Sequence, residues 1–145
     1  MYESYTRQSL PTKEYRELLG TAICVFNSNN GFIIENILRE DRENKHNWYE
    51  LTDKESGKLK VDIEQVLLTR EGGAEIYQLF CELVAQRNRI VHSFRITNRN
   101  KEQTLATKTK EKNGNSQFEI TPEYLMEFIK KNDRLSSLLH KYRGY

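Results

Sequence analysis

Two side chains five positions apart, Arg87 and His92, are of the types that break a phosphodiester in RNA. That reaction, run without a metal, needs a group that moves a proton and a cation that holds the phosphate. An imidazole near neutrality takes a proton from a ribose 2′-hydroxyl or gives one to the departing 5′-oxygen. A guanidinium grips the phosphate through two N–H groups and stabilises its growing charge. DNA lacks the 2′-hydroxyl, so the pair fits RNA better. One histidine, however, supplies the acid or the base and not both at once.

The element that positions the pair is a helix. Ile76, Leu79, Phe80, Leu83, Val84, Ile90, Val91 and Phe94 recur at the three-and-four spacing of one buried face. This predicts a helix from about Ala74 to Phe94, set off by Gly72-Gly73. Arg87 falls within roughly 20° of the centre of that apolar face at about 100° per residue. A guanidinium there must be paired, reach water, or face a cleft or a partner chain. A structural ion pair with a helix acid, or an edge residue that snorkels to water, is the plain alternative.

The order Arg87-Asn88-x-x-x-His92 resembles the R-x4-6-H signature of the HEPN ribonucleases, in which a polar residue follows the arginine. The resemblance covers the motif closely and the helical layout loosely. It implies a mainly α fold, an antiparallel four- to five-helix bundle that dimerises with the motif helices facing each other. Two copies would then bring two histidines to one composite site. It also implies metal-independent endoribonuclease activity leaving cyclic-phosphate ends, and a setting of toxin–antitoxin pairs or antiviral defence, with an antitoxin or defence-system protein as partner. Arg87 matches the phosphate-binding arginine, His92 the catalytic histidine, and Asn88 the polar residue that orients or contacts RNA. The family's toxins paired with nucleotidyltransferases continue to His-x-Tyr. Here the sequence is His92-Ser93-Phe94, so control by modification of that tyrosine is excluded.

The same resemblance admits a protein of a different class, a non-catalytic HEPN-like dimer that binds RNA or a nucleotide, or an interaction module. A geometric difficulty accompanies the catalytic version. Five steps on an ideal helix put Arg87 and His92 roughly 140° apart, so they converge only if the helix unwinds near Ile90 to Phe94 or if two chains share the site.

Composition sets the frame. The 145 residues carry 23 Lys and Arg against 21 Asp and Glu, a net charge of +2 that decides little. Its distribution matters more, because Arg87, Arg89, Arg95, Arg99, Lys101, Lys108, Lys110 and Lys112 face only Glu102 and Glu111 over that span. Arg89, Arg95, Arg99, Lys108 and Lys110 are the candidate track for an RNA backbone; the alternative is a solvated loop. Cys24 and Cys81 have no metal-ligand spacing, and neither do His46 and His140, so no metal or cofactor is expected. With no leader pattern at the start and no apolar run long enough for a bilayer, the reading is a cytoplasmic protein with no membrane partner.

In chain order, residues 1–145 read as a single domain. Thr12 caps a helix whose apolar face, Tyr15, Leu18, Leu19, Ala22, Ile23 and Phe26, resumes in phase at Ile33, Ile34 and Ile37. One helix from about Thr12 to Arg39 is preferred over two meeting at Gly31. Asn27 and Asn30 would then be buried amides, placed to face the groove of Arg87. Glu40 to Gly57 reads as irregular chain anchored by Trp48, Tyr49 and Leu51. Leu59 to about Arg70 is a short helix. Residues 95–120 form a hairpin insertion turning at Asn113-Gly114, which lies beside the site or is decorative. Thr121-Pro122-Glu123 opens the last helix.

Overall fold

A computed structural model describes residues 1–109 and 116–144. Thr12 accepts a hydrogen bond from the Tyr15 amide at 3.2 Å, capping α1 (Lys13–Glu40). That helix is continuous for 28 residues, so the polar interruption at Asn27 to Gly31 does not break it. The amides are used differently from the expectation. Asn27 is exposed, and Asn30 accepts from Ser56 Oγ at 2.9 Å. Asn29 is the buried one, donating to the Asn132 carbonyl at 2.7 Å and to its Oδ1 at 3.0 Å.

The segment expected to be irregular holds α2 (Trp48–Asp53), capped by Asn47. Of its three apolar residues only Leu51 is buried; Trp48 and Tyr49 face outward. Then come α3 (Leu59–Val66) and a tight turn to Thr69. The motif helix, α4, spans Gly73–Val91. Its first residue lies so close to the Leu67 carbonyl that a Cβ there would sit 2.0 Å from the oxygen, hence the glycine. The last helix, α5 (Pro122–Arg143), carries the expected Thr121 cap and Pro122 start.

Helix directions correct the alternating antiparallel arrangement. Tyr15 meets Ile120, Phe26 stacks with Phe128, Asn29 bonds Asn132, and Glu35 pairs with Arg143. Those contacts rise in step, so α1 and α5 run the same way. Asn30 with Ser56 and Glu40 with Arg70 put α3 in that direction too. Contacts of α4 fall instead, with Gly72 near Tyr142 and Glu82 paired with Lys131. It runs against α1, α3 and α5 and packs on all three, which makes the motif helix the central one. The core between them is apolar, with Phe26, Phe80 and Phe128 stacked at centroid distances near 6.1 and 6.2 Å.

The expected hairpin is a three-stranded antiparallel sheet in the order β1 (Phe94–Thr97), β2 (Gln103–Lys108), β3 (Gln117–Ile120). Strand β1 takes Phe94 from the end of the predicted helix, and the turn at Asn113-Gly114 lies outside the described residues. Leu105, Thr107, Phe118 and Ile120 face the bundle, where Phe118 packs on Tyr124. Phe94, Ala106 and Glu119 align across the three strands on the outward face. No helix among the described residues is long and apolar enough to cross a membrane.

Tyr15 fastens the sheet to α1. Its hydroxyl donates to the Ile120 carbonyl at 2.6 Å and accepts from the Leu105 amide at 3.2 Å. Burial pushes its pKa up. Tyr15→Phe leaves a buried carbonyl without a donor, and the expected loss is about 1 to 3 kcal/mol by chemical denaturation. An unchanged denaturation midpoint would contradict this role.

Candidate functional site at the end of the motif helix

Arg87 is half-buried, and its surroundings answer the question posed by an arginine in an apolar stripe. Its guanidinium carbon lies 5.5 Å from the centroid of the Phe26 ring, within the range of a cation–π contact. One Nη donates to Asn88 Oδ1 at 3.0 Å. Among the described residues no carboxylate pairs with it. The two neighbours fix the guanidinium without neutralising it, and its other N–H groups remain available.

The chain leaves the helix at His92. This residue takes φ −94° and ψ 33°, and its amide still bonds the Asn88 carbonyl at 2.9 Å. Ser93 closes the end, with its hydroxyl donating to the Ile90 carbonyl at 2.6 Å. The His92 ring is exposed and makes no hydrogen bond or ion pair among the described residues. Unwinding therefore occurs, but only from His92 onward. No hydrogen bond joins Arg87 and His92 within one chain. Val91 beside them is 49% exposed, which leaves an apolar residue in solvent at the same helix end.

The candidate backbone track is split. Arg89 reaches across to the Lys108 carbonyl at 2.8 Å and so ties α4 to the end of β2. Its charge also faces the Tyr124 hydroxyl, whose pKa burial pushes up while Arg89 opposes the shift. Arg95 lies along the sheet with its guanidinium on Gln103. Arg99 and Lys108 are exposed, with no ion pair among the described residues. Lys110 lies outside the described residues. Two of the five cations thus have structural bonds before any ligand arrives.

A cleft of about 830 Å³ lies elsewhere, at the C-terminal end of α1, while α4 ends near the start of α1. Its groups largely answer one another: Glu40 pairs with Arg70 at 2.7 Å and Glu43 with Lys45 at 2.5 Å, while the His46 backbone amide donates to Asp41 at 2.7 Å. His46 also approaches Asp62 at 3.1 Å, and Asp62 takes Lys54 as well. Such mutual pairing suits a structural network. Among the described residues no cluster of three or more histidine, cysteine or acidic side chains is placed to hold a metal ion.

Phe26 is the site residue that sequence spacing assigned only to the core. The matching signal, an aromatic on α1 opposite a charged position on α4, becomes visible only when the two helices are docked. No family model, curated protein or solved structure matches this chain.

With no buried partner to strand, Arg87→Met keeps the aliphatic stem and removes only the charge. Its expected effect on the denaturation free energy is within about 1 kcal/mol. A loss of about 3 kcal/mol or more would mean that Arg87 neutralises a buried acid.

Proposed function

We propose that the chain is a metal-independent endoribonuclease of HEPN type that works as a homodimer. The observation that carries this reading is the fixed but unneutralised guanidinium of Arg87, five residues before an exposed histidine at the helix end. A cation held without a counter-charge on an aromatic face is prepared for an anion, and the anion that pairs usefully with an imidazole is the phosphate of RNA.

In this mechanism Arg87 binds the non-bridging oxygens of the scissile phosphate. Asn88, already accepting from Arg87, holds the guanidinium plane. His92 takes the proton of the 2′-hydroxyl, and the 2′-oxygen forms a bond to phosphorus as the bond to the 5′-oxygen breaks. The 5′-oxygen leaves with a proton from His92 of the partner subunit. The products are a 2′,3′-cyclic phosphate and a 5′-hydroxyl. A second copy meets the need for an acid beside a base, and covering Val91 is a further gain. Arg99 and Lys108 extend the binding of the strand. By the same resemblance, an antitoxin or another defence protein is the class of regulator that such a nuclease requires.

The separation of Arg87 from His92 within one chain favours a second reading, a dimer that binds RNA or a nucleotide without cutting it. The test is cleavage of total cellular RNA and tRNA in EDTA by the wild-type protein, Arg87→Met and His92→Ala. The catalytic reading expects wild-type cutting that falls by at least about 100-fold in each variant. RNA binding that survives His92→Ala, with no cutting by the wild type, would establish the binding module instead.

A further inference from the structure

We propose that the outward face of the sheet is a subsite for single-stranded RNA, with Phe94 as its stacking platform and Glu119 as the group that selects guanine. It rests on the ribonuclease reading for its ligand and goes beyond it in assigning two residues and a base.

The placement follows from the register. Only Ser93 separates His92 from Phe94, so the strand carries Phe94 away from the catalytic histidine at about 3.3 Å per residue. Two such steps are close to the spacing of successive nucleotides. Phe94 is 42% exposed, an aromatic ring open to solvent. Ala106 lies directly beside it in β2, and Glu119 beside Ala106 in β3. Ala106 itself is buried, so the exposed groups of this face are the ring at one side and the carboxylate at the other. Every base has a face that stacks on an aromatic ring, whatever its sequence.

Glu119 is built to read an edge. Thr104 donates to Oε1 at 2.7 Å and Asn98 Nδ2 donates to the same oxygen at 3.0 Å. These two bonds, Thr104 first, hold the carboxyl below its ordinary pKa. The second oxygen makes no hydrogen bond among the described residues. Oε2 keeps both of its lone pairs for a ligand, and guanine is the base that offers two adjacent donors, N1–H and the N2 amino group. Asn98 also accepts from the amides of Asn100 and Glu102, which shapes the loop carrying Arg99. Ile96, Asn98, Arg99 and Glu119 line a cleft of about 490 Å³ at that end of the sheet. Lys108 shares the outward face, and Arg99 rims the cleft, so cations flank the subsite where phosphates would run.

The test uses the full chain carrying His92→Ala, which prevents cutting, and fluorescence anisotropy with labelled hexamers of A, C, G and U. The expected order puts the G hexamer tightest. Adding Phe94→Ala is expected to weaken all four by roughly tenfold, and Phe94→Tyr to restore them. Glu119→Gln is expected to abolish the preference for G while leaving the other three within about twofold. Unchanged binding in Phe94→Ala, or a G preference that survives Glu119→Gln, would overturn the proposal. So would dissociation of the dimer by Phe94→Ala, since the face would then be a subunit contact. Each result stands apart from the nuclease reading, which is judged by cleavage: Phe94-dependent binding without wild-type cutting refutes that reading alone.

Discussion

A guanidinium that cannot lose its proton sits on the buried face of the central helix, and the rest of the structure accommodates it. Full burial without a counter-ion would cost several kcal/mol. The fold avoids that cost by stopping short of enclosure. Arg87 lies where α4 nears its end, over the ring of Phe26, with Asn88 as its only hydrogen-bond partner among the described residues. Phe26 is itself rigid, because Phe80 and Phe128 stack against it. The apolar core therefore fixes the position of a charge without neutralising it.

The same geometry explains why the motif ends where it does. Helix α4 runs against α1, α3 and α5, which brings its C-terminus to the opening end of α1 and α5. There the chain turns from helix to strand within two residues, and His92 falls at the junction. Ser93 satisfies a terminal carbonyl of the helix, and Arg89 ties that terminus to β2. Tyr15 in turn ties the sheet to α1. The helix end, the sheet and the first turn of α1 thus form one connected unit around the exposed imidazole.

Much of the helical layout was legible in the sequence because its signals are local. Thr12 and Thr121 each cap a helix as their positions suggested, and the phase shared by Phe26 and Ile33 foretold one unbroken α1. What could not be read depended on docking. The parallel course of α1 and α5 follows from long connections that carry no directional pattern. Asn29 rather than Asn30 is buried because its amide meets Asn132, more than a hundred residues away. Phe94 continued the helical spacing of α4, yet it pairs with Ala106 in the sheet, where ladder bonds outweigh one more helical turn. Of the site, the residue types and their order were visible. The lack of a carboxylate beside Arg87 and the ring beneath it were not, since both depend on what other helices place nearby.

In the proposed ribonuclease, Arg87 is held for a phosphate. The most direct measurement of that contact is the NMR resonance of the Arg87 Nε–H group during titration with a short RNA made uncleavable by a single 2′-deoxy sugar at the cutting position. If Arg87 binds the phosphate, this resonance and the Asn88 side-chain amide move together and saturate at one ligand concentration, in EDTA as in buffer. An Arg87 signal that stays in place while the RNA binds elsewhere on the protein would contradict it.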